Sequence, residues 1–145
     1  HIGVDAGTGY VHSVSATPAN IHDLDELTGL VRADDQVVYG DSGYLGVARR
    51  TEIITDPHLS TVDFRVAARK SKLAAMPAPD RYEQTRRASV RSKVEHPFLI
   101  VKRDFGFAKT RYRGMAKNLN HLLMLFASAN WLMRARAVTL SGVAA

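Results

Sequence analysis

Two acids stand at positions where chemistry could be done. Asp41 follows a short apolar run, residues 36–40 (QVVYG), and precedes Ser42-Gly43-Tyr44. In open α/β sheets, sites gather beyond the carboxyl ends of strands, so an acid at this point is a candidate ligand. Aspartate also starts turns and caps helices, and that reading stands beside the first. Glu95 lies in RSKVEH, residues 91–96. On one helix, Arg91 would sit four residues before it and Lys102 seven after, so the three would share a face. Either this is a surface ion pair worth about 0.3–0.5 kcal/mol, or a metal-binding carboxylate is flanked by phosphate-binding bases. Acids that hold hard cations beside cations that hold phosphates are the parts of metal-dependent phosphoryl transfer.

These residues need elements to position them. Residues 1–6 and 10–17 are β-formers around Gly7-Thr8-Gly9, which predicts a hairpin. A helix is expected at about 22–31, with Leu24, Leu27, Leu30 and Val31 inward, Asn20 as its cap, and His22 and Asp23 in its start. Residues 36–40 read as a buried strand, then a turn at Gly43 and Gly46 into a short helix through Arg50. Residues 64–68 read as another strand, and 71–80, with Pro77 and Pro79, as a loop. A long helix is expected over 81–103, kinked or divided at Pro97. Residues 105–114 (FGFAKTRYRG) read as a basic, aromatic, Gly-bounded loop or hairpin. A final helix over 116–136 carries a Leu/Met/Phe stripe with Trp131, which reads as core. The order is β-β-α-β-α-β-α-α, an α/β chain with a mixed sheet.

The chain has 145 residues, no cysteine and a formal net charge of +6. Its length fits one domain with a real core. The lack of cysteine excludes a disulfide scaffold and Cys-ligated metal sites, and it fits a reducing cytosol. The apolar run 122–133 is too short for the roughly 20 residues that a bilayer helix needs, so no membrane partner is expected. Charge is split. Residues 1–62 hold nine acids and three bases, while 63–145 hold 17 bases and five acids. The basic part points to a polyanion, most often nucleic acid; the alternative is a solvated basic surface. His12, His22, His58 and His121 have no metal-ligand spacing, and His96 would point about 100° away from Glu95 on an ideal helix.

Beyond spacing, several segments carry a family resemblance. Ala88, Arg91, Glu95 and Lys102 resemble the C-terminal signature of DDE transposases, the enzymes of bacterial insertion sequences in the group numbered four and five. Lys93 to Gly106 (KVEHPFLIVKRDFG) looks closest to the five type. So do HIGVDAGTGYVHSV at 1–14, GDSGYLG at 40–46, RVAARKS at 65–71 and TRYRGMAKNLNHLLMLFASANWL at 110–132. The likeness covers nearly the whole chain in order.

The resemblance implies a ribonuclease H-like fold, a mixed sheet flanked by helices. It also implies three acids that bind two Mg²⁺ ions, with Mn²⁺ as a substitute. Asp41 matches the second Asp and Glu95 the Glu. The first Asp belongs to a strand expected upstream of His1, so residues 1–145 read as a partial catalytic domain without that strand and without a DNA-recognition domain. Asp5 is a candidate third acid by order; its alternative is a hairpin-turn Asp bonded to its own backbone. The family's Tyr is replaced by Ala88, with Tyr82 or Tyr112 as substitutes. Arg91 and Lys102 resemble residues that contact the transposon-end backbone, and Arg111 and Arg113 are further DNA contacts. The implied partners are transposon-end and target DNA and a second copy in a synaptic pair, within the bacterial cytoplasm at the nucleoid. The implied activity is metal-dependent DNA cleavage and strand transfer. A non-catalytic DNA-binding remnant and a ribonuclease H-like nuclease are the alternatives.

Overall fold

A computed structural model of the chain describes residues 1–18, 20–21 and 23–143. The predicted roles of His22 and of the Asp23 side chain fall outside the described residues. The strands are β1 (Ile2–Val4), β2 (Val11–Val14), β3 (Val37–Gly40) and β4 (Asp63–Val66). The helices are α1 (Asp23–Leu30), α2 (Thr51–Thr55), α3 (Lys70–Leu73), α4 (Ala78–Ser92), α5 (Glu95–Leu99) and α6 (Met115–Val143). The chain is thus mixed α/β, with small sheets flanked by helices. Instead of one mixed sheet, the four strands form two sheets of two: β1–β2 antiparallel and β3–β4 parallel. Each strand pairs with its neighbour in sequence, the cheapest closure in loop entropy.

The backbone divides into two compact units. One comprises His1 and residues 18–92, the other residues 2–17 and 93–145. In the first unit, β3 and β4 run in register from Val37 opposite Asp63 to Gly40 opposite Val66. Their core is Leu27, Val47, Ile53 and Leu59, with Val38, Tyr44, Phe64 and Val66 packed on it. The 71–80 loop reading is corrected. Residues 70–73 make a helical turn, and α4 already starts at Ala78. Pro79 sits in its first turn, where a missing N–H costs nothing, and the Pro77 carbonyl accepts the Arg81 N–H at 3.0 Å.

In the second unit, the hairpin packs with α5 and α6 around Val11, Ile100, Val101, Phe126 and Ala129. The expected 81–103 helix is divided, as Pro97 requires. Pro97 has no N–H for the Lys93 carbonyl, which instead accepts the His96 N–H at 3.2 Å. Residues 100–104 form a wide π-helical turn closed by the Phe105 N–H on the Ile100 carbonyl at 3.1 Å. It buries the adjacent Ile100 and Val101, each 1% exposed. The division also corrects the shared-face argument: Arg91 ends α4, Glu95 begins α5 and Lys102 lies in the π turn, so no single helix carries them.

Helix α6 runs longer than expected, through Val143. Its apolar stripe is only half core. Phe126 and Ala129 are buried, while Met124 is exposed and Trp131 is 81% exposed. A 3.6-residue repeat cannot turn every apolar residue of so dense a run inward. Among the described residues, no helix is long and apolar enough to cross a membrane.

Candidate active site

Asp41 leaves the carboxyl end of β3, in the unit that contains the parallel pair. Its backbone is extended (φ −81°, ψ −178°), and Oδ1 accepts the Gly43 N–H at 2.8 Å. Its carbonyl accepts the Tyr44 N–H at 3.0 Å, which closes a single 3₁₀ turn over 42–44. The turn must be tight. A Cβ on Gly40 would lie 3.1 Å from Tyr44 Cβ, and Tyr44 packs on the core. So Asp41 does cap a turn. Only one oxygen does this, however. The other, Oδ2, lies 3.6 Å from Arg91 Nη2, with the two side chains 44% and 37% exposed. A half-exposed pair at that distance contributes at most about 1 kcal/mol to stability. What it does supply is a carboxylate oxygen and a guanidinium side by side at the edge of the strand ends.

The hairpin–helix unit holds the other acids. Glu95 is the exposed first residue of α5. Lys102 is exposed, with its ammonium 5.9 Å above the Phe98 ring. Asp5 opens the β1–β2 turn. Its Oδ1 accepts the Thr8 N–H at 2.6 Å and the Thr8 hydroxyl at 2.7 Å. Its main chain adds bonds with Tyr10 and Gly9, at 2.9 and 2.8 Å. Gly9 takes φ +79°, a value that side chains resist. The Asp5 side chain therefore anchors the hairpin, the alternative foreseen for it. Lys93 Nζ donates to the carbonyls of Ala6 and Gly7, so the residue two before Glu95 grips that turn. Nothing in the spacing of Lys93 signalled this.

Arg111 and Arg113 are exposed on the loop between the π turn and α6. Asn118 pins that loop: it accepts the Tyr112 N–H at 3.2 Å and donates to the carbonyls of Tyr112 (2.6 Å) and Gly114 (2.8 Å). The Tyr112 and Phe107 rings stand 5.3 and 5.8 Å from His121. The two arginines thus project from an ordered base. Near Asp41 in sequence lies a further feature that no motif announced. A cavity of about 600 Å³ in the β3–β4 unit is lined by Arg49, Arg69, Lys72 and Arg87.

Among the described residues, no group of three or more His, Asp or Glu side chains could hold a metal ion.

A family model described as the transposase DDE domain matches residues 1–131. The chain belongs to the transposase DDE domain family. No solved structure matches it significantly. Membership of that family implies a transposase, an enzyme of nuclease type, and transposases act on DNA. Within the matched span, Asp41 is a strand-end carboxylate beside a cation.

Proposed function

We propose that this DDE-family chain is the catalytic domain of an insertion-sequence transposase, of the five type, that cleaves transposon ends and joins them to target DNA. The family match over residues 1–131 carries the reading. In it, residues 1–145 form one partial ribonuclease H-like catalytic domain. Asp41 and Glu95 are its catalytic acids. Asp5 is the candidate third acid, although its carboxylate already anchors a turn. Arg91, Lys102, Arg111 and Arg113 bind the DNA backbone, which positions DNA without reading its sequence. The Mg²⁺ pair, or Mn²⁺ in its place, and the synaptic homodimer come from the family alone.

The chain's own residues supply charge placement. Arg91 offsets the Asp41 charge in the absence of substrate and can turn to a phosphate when DNA arrives. Arg111 and Arg113 offer two exposed cations on a pinned loop, so little side-chain base is left to order on binding. A non-catalytic DNA-binding remnant is the second reading, favoured by the Asp5 carboxylate, which is engaged in anchoring its own turn. Plasmid nicking in Mg²⁺ or Mn²⁺ separates them, with Asp41→Asn and Glu95→Gln as controls. Nicking by the parent that both variants lose supports the enzyme. DNA binding without nicking is expected of the remnant and equally of a site with only Asp41 and Glu95. An acid-bearing strand joined ahead of His1 that restores nicking then supports the enzyme. Joining of a free 3′-hydroxyl to target DNA then distinguishes a transposase from a simple nuclease.

A further inference from the structure

The β3–β4 unit contains a cavity of about 600 Å³. Its lining comes from residues 45–49, which follow β3, from Phe64 and Val66 of β4, and from Arg69 and Lys72, which follow β4. It therefore runs along β4 and takes in segments that follow each of the two parallel strands. Arg87 of α4 completes it.

The chemistry of that lining is one-sided. Four cations contribute and no acid does. Arg87 shares its charge with Glu83, at 3.2 Å. Among the described residues, no ion pair joins Arg49, Arg69 or Lys72 to an acid. All three are exposed, so each can move to a ligand at little desolvation cost. Phe64 and Val66 lie two apart on one strand and so share a face, which gives the cavity an apolar aromatic wall. Cations along a groove with an aromatic wall are the means by which proteins hold single-stranded nucleic acid: phosphates on the cations, base or sugar on the wall. About 600 Å³ is the size of a small-molecule pocket. It admits a nucleotide or two and excludes a duplex.

We propose that this cavity binds a short single-stranded segment of DNA, with Arg49, Arg69 and Lys72 on its phosphates. The proposal rests on the reading of DNA as the partner and adds a site outside the DDE acids and the 111–113 loop. The strand would enter a unit whose β3 also delivers Asp41, so an unpaired end could be held near that carboxylate.

The test uses the whole chain and two labelled probes, a deoxythymidine oligonucleotide and a duplex of equal length. Anisotropy over a salt series gives the slope of log affinity against log salt for each. Each phosphate neutralised contributes about 0.7 to the slope for a single strand. The variant Arg49→Gln/Arg69→Gln/Lys72→Gln should lower the single-strand slope by about 2, three such contacts, and leave the duplex slope nearly unchanged. Arg111→Gln/Arg113→Gln serves as the comparator on the loop. Should the triple variant fail to fold by circular dichroism, Arg69→Gln and Lys72→Gln alone should each lower the slope by about 0.7. An unchanged single-strand slope with a loop variant that still weakens binding would overturn the cavity proposal and leave DNA as partner. If ATP or inorganic phosphate binds through these residues while the slope stays put, the cavity is a free-nucleotide or phosphate site and the proposal is wrong. A parent chain that binds neither probe defeats the DNA reading itself.

Discussion

The turns at Asp41 and Asp5 use one local device and reach different ends. In both, a carboxylate oxygen accepts a backbone N–H two or three residues ahead, 2.8 Å at Asp41 and 2.6 Å at Asp5. At Asp5 the same oxygen also takes the Thr8 hydroxyl, and Lys93 clamps the turn from outside. At Asp41 the second oxygen faces Arg91 at the end of a parallel strand. The structural and the chemical readings of an aspartate are therefore not rivals at Asp41, because two oxygens allow two roles. At Asp5 the one oxygen carries two bonds of the turn, so the structural role weighs more there.

The largest perturbation should come from the support beneath the Asp5 hairpin. Phe126 is 3% exposed and meets Phe98 edge-on at 5.5 Å. Phe126→Ala should destabilise by about 3–5 kcal/mol, since it empties the centre of that core. Hydrogen exchange should show the hairpin and α6 opening first. Next comes Asn130, which accepts the Val11 N–H at 2.9 Å and donates to the Val11 carbonyl at 2.8 Å. Asn130→Ala leaves both backbone groups of a buried residue without their partner and should cost about 1–3 kcal/mol by urea melt. A loss under about 0.5 kcal/mol in the same measurement would mean that water replaces the amide. On the other side, Gly40→Ala should cost about 1–3 kcal/mol, because the new methyl meets Tyr44 Cβ rather than a flexible side-chain end.

Substituting the two acids sharpens the comparison directly. Alanine at either position removes a turn-closing acceptor and should cost about 0.5–2 kcal/mol. Asn keeps an accepting oxygen. Asp41→Asn should therefore hold stability within about 0.5 kcal/mol of the parent while it abolishes any metal-dependent nicking. Asp5→Asn should keep both stability and nicking if Asp5 is only an anchor. Loss of nicking with an unchanged melt would promote Asp5 to third acid.

Much of this was legible in the residues. The hairpin, β3, β4, the division at Pro97 and the turn after Asp41 follow from local chemistry: β-branched runs, Gly, and a proline without an N–H. Trp131 was not legible, because periodicity says that a helix face is apolar without saying whether anything covers it. Nor was the division into two sheets, because sequence order suggests which neighbouring strands pair but not whether the two pairs join. The cavity cations escaped too. Arg49, Arg87 and the Arg69–Lys72 turn come from three separate segments, and only the fold of the unit brings them together. Family likeness reached Glu95, but the single-helix argument that linked it to Arg91 and Lys102 failed at Pro97.

The smallest effects concern pH, and they contrast two other acids. Asp56 is held below its ordinary carboxylate range by the N–H groups of Leu59 and His58, at 2.8 and 2.9 Å. Asp104 is lowered chiefly by Arg103 and also by Arg136. A folded value below the unfolded one gives stability that is complete above the unfolded value, about 3.9, and is lost as pH falls through the folded one. Both acids should therefore make the chain weaker on acidification below about pH 4, and Asn at either site should flatten that fall. Salt should tell them apart. Backbone N–H groups are fixed dipoles in contact with Asp56, whereas the arginines around Asp104 are mobile and screened by ions. High salt should erase most of the Asp104 share of the pH dependence and spare that of Asp56. Equal loss at the two sites in urea melts would mean that the turn at Asp56 opens before its carboxylate protonates.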